Sequence, residues 1–105
     1  MWRETCTVEE AEDGESVFVD GERVAIFVVD GEPYAVSDVC THAGASLTEG
    51  GVRDGTVRCP RHGAPFDLRT GEALGPPASD DLGVYDTKVD DGTVYVRVEG
   101  ETNGV

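Results

Sequence analysis

Histidine, cysteine and basic residues are all scarce in this sequence. Its 105 residues include two histidines and three cysteines, so any site that needs several histidines must be built from His42 and His62. The odd number of cysteines disfavours a disulfide framework and favours a reducing cytoplasm. Eight basic residues against 22 acidic ones give a formal net charge of −14. This charge argues against nucleic acids and anionic membranes as partners, because both are polyanionic.

Long apolar runs are also missing. No run approaches the roughly 18 residues that a membrane-spanning helix needs. The first residues, Met1-Trp2-Arg3-Glu4, lack the basic and apolar regions of a signal peptide. The sequence therefore predicts a cytoplasmic protein without a membrane anchor. A chain of this length is expected to form one domain, residues 1–105, with one modest core.

Glycine, in contrast, is abundant, and five of the 14 glycines follow an aspartate. An Asp-Gly pair between apolar segments predicts a tight hairpin, because a type I′ turn needs positive φ at both central residues. The five pairs are Asp13-Gly14, Asp20-Gly21, Asp30-Gly31, Asp54-Gly55 and Asp91-Gly92. Helical periodicity is nearly absent. Thr7 and Glu10 can form a capping box, but Gly14 would end such a helix within two turns.

Short runs rich in β-branched and aromatic residues lie between these turns and predict strands. The predicted strands are Ser16–Val19, Val24–Val29, Tyr34–Val36, Val57–Cys59, Val84–Val89 and Thr93–Val98. Val24–Val29 is apolar throughout, which indicates burial on both faces. In the last run, Val94, Val96 and Val98 share one face. The fold class that follows is all-β and antiparallel, a sandwich or a small barrel.

The residues that carry chemistry are Cys40-Thr41-His42 and, after sixteen residues, Cys59-Pro60-Arg61-His62. Three interpretations compete. They are unrelated buried cysteines and surface histidines, a structural Cys₂His₂ zinc site, or a [2Fe–2S] cluster with two cysteines on one iron and two histidines on the other. Both histidines lie within three residues of a cysteine, which disfavours the first. Each pair is mixed, whereas zinc sites usually pair cysteine with cysteine, so the pattern favours the cluster.

With C-x-H and C-x-x-H at this separation, the sequence resembles a Rieske-type [2Fe–2S] protein. The resemblance extends over essentially the whole chain and includes the stretch Cys59–Asp67 and Gly75-Pro76-Pro77, which resembles the proline loop of that family. It implies that Cys40 and Cys59 bind the buried iron, and His42 and His62 the outer iron. It also implies a Rieske-like β-sandwich whose cluster-binding subdomain, with two loops, is inserted at about residues 39–79.

Two departures place the sequence within that family. Respiratory-complex Rieske proteins carry an additional cysteine in each loop, joined as a disulfide, where this chain has Ala45 and Arg61. They also carry serine and tyrosine hydroxyls that bond to cluster sulfurs, where this chain has Ala64 and Phe66. The chain is thus more similar to the ferredoxin of bacterial ring-hydroxylating dioxygenase systems. It also has some similarity to the small subunit of assimilatory nitrite reductase.

The histidine count limits the function. A Rieske oxygenase needs two further histidines for its mononuclear iron, and both histidines are already used. We therefore expect a one-electron carrier, not an enzyme, that receives electrons from a reductase and passes them to a terminal oxygenase docked at the cluster tip. The residues expected to contact the partner lie around His42, Ala43, Gly44, His62, Gly63, Ala64, Pro76 and Pro77. The carrier is expected to be a monomer. The alternatives are a subunit of a larger reductase and a zinc-stabilised interaction module. Cys6 is left over and is expected to be a core residue.

The acidic charge is unevenly distributed. Residues 39–79 contain four acids and four arginines, so the other 18 acids and four bases account for the whole −14. The chain has one lysine, Lys88, against seven arginines. This composition is typical of proteins from salt-loving organisms, in which salt screens self-repulsion. Electrostatic steering towards a basic partner is the alternative interpretation.

Overall fold

The computed structural model describes residues 2–39, 46–61, 63–76 and 81–98. Within these ranges the chain forms nine strands and one 3₁₀ helix. The strands are β1 (Arg3–Thr7), β2 (Glu15–Val19), β3 (Glu22–Val29), β4 (Glu32–Ser37), β5 (Val52–Arg53), β6 (Thr56–Arg58), β7 (Pro65–Asp67), β8 (Val84–Asp90) and β9 (Thr93–Arg97). The helix is Leu47–Glu49. The predicted antiparallel all-β class is confirmed.

The strands form two sheets. A six-stranded sheet has the order β1-β9-β8-β4-β3-β2, and a three-stranded sheet has the order β5-β6-β7. All named strand pairs are antiparallel. The six predicted strands are present with shifted ends, but β1, β5 and β7 were not predicted. β5 and β7 contain two and three residues, which is too short for an alternating pattern to be recognised.

Four of the five Asp-Gly pairs form the predicted tight turns. Asp20, Asp30, Asp54 and Asp91 all have φ between 50° and 54°, and each following glycine also has positive φ. These are the conformations that a type I′ turn requires. The turns join β2 to β3, β3 to β4, β5 to β6, and β8 to β9.

The hairpin predicted at Asp13-Gly14 is wrong. The strand before it, β1, pairs with β9, and the strand after it, β2, pairs with β3. The intervening segment is a series of turns that opens with the predicted capping box: the Thr7 N–H donates to Glu10 Oε1 (2.9 Å), and the Glu10 N–H donates to Thr7 Oγ1 (3.1 Å). Gly14, with φ of 93°, ends these turns before a helix forms. The capping box depends on neighbouring residues and is present as predicted, whereas the pairing of strands depends on distant residues.

Strand β3 is buried on both faces because it lies between two cores. The sheet core consists of Cys6, Ala11, Val19, Val24, Ile26, Val28, Ala35, Val94, Val96 and Val98. The loop core consists of Ala25, Phe27, Val36, Leu47, Val57, Cys59, Ala64, Phe66, Leu68 and Leu82. Alternate residues of β3 therefore face different cores. The prediction that Val94, Val96 and Val98 share one face is confirmed, because all three lie in the sheet core.

The loop core joins the small sheet to the large one. Val57, Phe66 and Leu68, from β6, β7 and the residue after it, pack against β3 and β4 in this core. This shared core therefore holds the small sheet, and the loops that connect its strands, in a fixed position on the large sheet. Within the described ranges, no helix is long and apolar enough to cross a membrane.

Candidate metal centre

Cys59 lies at one end of the short loop, residues 59–64, that connects β6 to β7. The point at which the two ends of a loop meet is called its neck. The Cys59 N–H donates to the Ala64 carbonyl (2.9 Å), and the Cys59 carbonyl accepts from the Gly63 N–H (2.9 Å). Gly63 has φ of 73°, a conformation that favours glycine. The Cys59 side chain is 1% exposed and forms no disulfide. A free thiol is therefore held at a fixed position inside the loop core.

The neck of the other predicted ligand loop is closed as well. Val39 and Ser46, on either side of residues 40–45, form an antiparallel bridge. The Leu47 N–H donates to the Asp38 carbonyl (2.9 Å), which adds a second cross-link at the same point. The residues on either side of the segment that contains Cys40 and His42 are therefore adjacent in the structure.

The two necks are in contact. Gly50 follows the 3₁₀ helix and lies so close to β6 that a Cβ built on it would be 1.8 Å from the Arg58 carbonyl oxygen. The Arg58 N–H donates to the Gly51 carbonyl (3.1 Å). Leu47 lies in the loop core together with Cys59. The chain that follows the first loop thus packs directly against β6, the strand that ends one residue before Cys59.

The segment predicted as a proline loop lies close to the neck of the Cys59 loop. The Leu74 N–H donates to the Pro65 carbonyl (2.9 Å), and a Cβ on Gly75 would lie 3.5 Å from Pro65 Cγ. Pro76 is exposed, and Pro77 lies outside the described residues. The described part of this segment therefore lies beside the start of β7, next to the Cys59 loop.

Asp38 was missed by the sequence analysis. It is fully buried, and it is the one buried charged residue of the described ranges. Its carboxylate accepts four hydrogen bonds. The donors are Ser16 Oγ (2.7 Å), Ser46 Oγ (2.8 Å), the Thr48 N–H (3.0 Å) and Arg23 Nη2 (3.3 Å). An aspartate two residues before Cys40 is a visible cue, but its burial is not readable from local sequence.

Cys6 lies in the sheet core and not in the loop core, which confirms that it is a core residue. Burial raises the pKa of its thiol; the neighbouring carboxylates Glu15 and Glu10 raise that pKa further, and a hydrogen bond from Thr5 opposes the shift. A protonated thiol is a poor metal ligand and a poor nucleophile. The raised pKa of Cys6 therefore disfavours it as a metal ligand.

The predicted ligands Cys40, His42 and His62 lie outside the described residues. Within the described ranges, no group of three or more His, Cys, Asp or Glu side chains could hold a metal ion. Cys59 and the necks of the two loops fit a bound cluster. The Cys59 thiol is buried and forms no disulfide, the two ends of each loop are hydrogen-bonded to each other, and the two necks are in contact.

Ala64 corrects one expectation. The sequence analysis places the docking surface at the tip of the two loops, and the small residue after Gly63 would belong to it. Ala64 is fully buried in the loop core, as is Phe66. Ala64 therefore cannot contact a partner, whereas Pro60, Arg61 and Pro76 are exposed.

These features define a small antiparallel β domain in which a buried cysteine lies at one end of a loop of the three-stranded sheet, next to the paired residues Val39 and Ser46 that flank residues 40–45. The chain belongs to the Rieske [2Fe-2S] domain family, since the model of that family matches residues 1–86. The cofactor that the family implies is one Rieske [2Fe–2S] cluster, in agreement with the sequence analysis.

Relatives with known names are similar over nearly their whole length. The 3-phenylpropionate/cinnamic acid dioxygenase ferredoxin subunit of Photorhabdus laumondii subsp. laumondii is 48% identical over 98 residues, which cover 91% of this chain and 93% of that protein. A chain in the complex of reduced oxygenase and oxidized ferredoxin in carbazole 1,9a-dioxygenase superposes with a TM-score of 0.82 at 34% identity, covering 90% of this chain and 100% of that chain.

A third relative belongs to a different system. The putative NADH-dependent nitrite reductase small subunit from Mycobacterium tuberculosis has a TM-score of 0.82 at 30% identity, and the match covers 94% of this chain and 96% of that chain. Both systems considered in the sequence analysis are thus represented among the similar proteins.

Proposed function

We propose that this chain is the ferredoxin of a multicomponent dioxygenase: a one-electron carrier, not itself an enzyme, that receives electrons from a reductase and passes them to a terminal oxygenase. The observation that carries the proposal is the 48% identity, over nearly the full length of both chains, to a dioxygenase ferredoxin subunit. The similarity to a chain from an oxygenase–ferredoxin complex supports an oxygenase as the acceptor.

The proposed ligands are Cys40 and Cys59 for the buried iron and His42 and His62 for the outer iron. When bound, the cluster supplies reversible one-electron transfer. The chain's own contribution is to hold the thiolate of Cys59 away from water at the neck of its loop. The resemblance to Rieske proteins implies that the histidines bind the outer iron, from which electrons would leave.

The ligand assignment is tested by two serine substitutions of buried cysteines. Cys59→Ser should lose the visible absorption and most of the iron, because it removes one of four ligands. Cys6→Ser is the matched control. Because Cys6 lies in the other core, this substitution should leave the cluster in place. The wild type should contain two irons and two acid-labile sulfides per chain, with the electron paramagnetic resonance of a reduced Rieske cluster.

Two results would contradict the assignment. One zinc without sulfide in the wild type would indicate the zinc-stabilised module instead. Full cluster content in Cys59→Ser would show that the motif cysteines are not the ligands.

The docking site is proposed to be the tip formed by the two loops and the adjoining Gly75-Pro76 segment. A charge placed on exposed Pro76, as Pro76→Glu, should slow electron transfer to a purified oxygenase without changing the cluster spectrum. The control is Asp90→Asn with Asp91→Asn, at the exposed turn between β8 and β9. An unchanged rate of electron transfer for Pro76→Glu, together with a large loss of rate for the control, would instead place the docking site on the six-stranded sheet near the turn between β8 and β9.

A small subunit of nitrite reductase is the second candidate, favoured by the similarity to the nitrite reductase small subunit. A permanent subunit should bury a large apolar face. The large apolar residues exposed in the described ranges are Phe18, Leu74, Val84 and Val89. Size-exclusion chromatography with the proteins of its own host separates the two: a carrier elutes alone as a monomer, whereas a subunit elutes with its reductase.

We further propose a reducing cytoplasm and adaptation to high salt. Two buried cysteines without a disulfide, Cys6 and Cys59, support the first. The acidic excess outside residues 39–79 and the low lysine content support the second.

A further inference from the structure

The strongest feature outside the four predicted ligands is the hydrogen-bond network of Asp38. Its side chain has no exposure to solvent, and a buried charge is costly unless it is paired and hydrogen-bonded. Here both oxygens are used: Oδ1 accepts from the Thr48 N–H, and Oδ2 accepts from the other three donors. All four partners are donors, so the carboxylate acts only as an acceptor.

The donors come from both sides of the structure. Ser16 belongs to β2 and Arg23 to β3, so two bonds connect Asp38 to the large sheet. Ser46 and Thr48 follow residues 40–45, so the other two connect it to the returning end of the first loop. The main chain of Asp38 repeats this arrangement, because its N–H donates to the Arg23 carbonyl and its carbonyl accepts from the Leu47 N–H.

This network lies where the first loop begins. Asp38 precedes Val39, whose bridge to Ser46 closes the neck, and Cys40 follows at once. The carboxylate therefore fixes both ends of the loop to the sheet. It also holds a negative charge close in sequence to a proposed ligand, in a site from which water is excluded and where charges interact more strongly than in solvent.

We propose that Asp38 is the positioning residue of the first cluster loop, and that its buried charge, balanced in part by Arg23, sets the reduction potential. The inference rests on the proposed function, since it requires a cluster bound through Cys40. Reduction adds one negative charge to the cluster. A fixed negative charge nearby opposes that step and a positive charge favours it.

The experiment compares the reduction potentials of three variants with that of the wild type. Asp38→Asn removes the negative charge and should raise the potential. Arg23→Gln removes the positive charge and should lower it, with Asp38 still in place. Asp86→Asn is the charge-matched control, because its carboxylate is exposed and is paired with Arg97 across β8 and β9. Its shift in potential should be smaller than that of either of the other two variants.

Opposite signs for Asp38→Asn and Arg23→Gln are the signature that a merely structural role would not produce. Equal signs, or an Asp38→Asn potential that is unchanged or lower, would overturn the inference. Should Asp38→Asn fail to fold, Arg23→Gln alone decides, and a raised or unchanged potential overturns it.

The positioning role has its own matched pair. Ser46→Ala and Ser16→Ala each remove one hydroxyl bond of similar length, 2.8 and 2.7 Å, to the same oxygen. Loss of the visible absorption in the presence of an iron chelator should be several-fold faster for Ser46→Ala, which frees the loop end, than for Ser16→Ala. Equal rates would overturn the positioning role.

The two proposals fail in different ways. A wild type without iron and sulfide would overturn the proposed function and this inference with it. A wild type with a full cluster whose potential does not respond to Asp38→Asn would overturn this inference alone.

Discussion

Cys6 is a buried thiol, and its raised pKa has a consequence for stability. The folded state keeps the thiol proton at a pH where the unfolded chain, with an ordinary pKa of 9.0, releases it. The contribution is therefore complete below that pH and is lost as the pH rises towards the folded-state pKa. We expect the free energy of unfolding to fall more steeply above pH 9 for the wild type than for Cys6→Ala.

Denaturant titrations between neutral pH and pH 10.5 measure this difference. Cys59 is present in both proteins, so it does not contribute to the difference between them. Parallel curves for the wild type and Cys6→Ala would show that burial of Cys6 does not influence alkaline stability.

Ala64 and Phe66 are two buried residues whose side chains cannot donate a hydrogen bond to a cluster sulfur. A hydrogen bond to a charged acceptor is worth about 1.5–3 kcal/mol, and one electron moved through about 100 mV corresponds to about 2.3 kcal/mol. Only part of each bond distinguishes the two oxidation states. We expect Ala64→Ser with Phe66→Tyr to raise the reduction potential by some tens of millivolts, up to about 100 mV.

Phe18→Tyr is the control for the added hydroxyl, because Phe18 is 73% exposed and its new hydroxyl would face water. The wild-type potential should lie near the bottom of the roughly −150 to +300 mV range of Rieske centres. A wild-type value above about +100 mV would contradict both the hydroxyl argument and the assignment to a dioxygenase system.

At the level of elements, the contact between the 3₁₀ helix and β6 depends on one glycine. A Cβ on Gly50 would lie 1.8 Å from the Arg58 carbonyl oxygen, whereas a Cβ on the next residue, Gly51, would meet nothing within 4 Å. Because the obstacle is backbone, Gly50→Ala must separate the two loop necks. We expect a loss of about 2 kcal/mol or more in stability, in the range of overpacked sites, together with faster cluster loss.

Gly51→Ala is the matched control and should be neutral or slightly stabilising, since alanine restricts the unfolded chain. Thermal unfolding and the rate of bleaching of the holoprotein measure both effects. Equal behaviour of the two variants would mean that the close approach of Gly50 to β6 is not required.

For the whole molecule, the dominant quantity is the net charge of −14. The described ranges contain three ion pairs, Arg3–Asp20, Arg23–Asp38 and Arg97–Asp86. Most acids in these ranges therefore repel one another without a paired cation. Since the Debye length falls from about 10 Å at 0.1 M to about 3 Å at 1 M salt, we expect the melting temperature to rise by several degrees between 0.1 and 1 M KCl.

A variant with fewer acids tests the cause. Glu9→Gln, Glu12→Gln and Asp13→Asn combined remove three exposed charges from the turns between β1 and β2, so the salt effect should be smaller in this variant. A melting temperature that is flat or falls with KCl in the wild type would refute salt adaptation.

The sequence by itself determined the features that depend on neighbouring residues. Four Asp-Gly turns follow from the positive φ that their two residues tolerate, and the shared face of Val94, Val96 and Val98 follows from the two-residue period of a strand. The four proposed ligands follow from residue type and spacing within two short motifs, although three of them lie outside the described residues.

Only the tertiary structure decided which distant segments meet. It paired β1 with β9 and not with β2, assigned Cys6 and Cys59 to different cores, and showed that Ala64 is buried. Asp38 is the clearest case, since the four residues that donate hydrogen bonds to its carboxylate lie 8, 10, 15 and 22 residues away along the chain. Burial of a charge depends on donors brought together by the folded sheet, and no local pattern records that convergence.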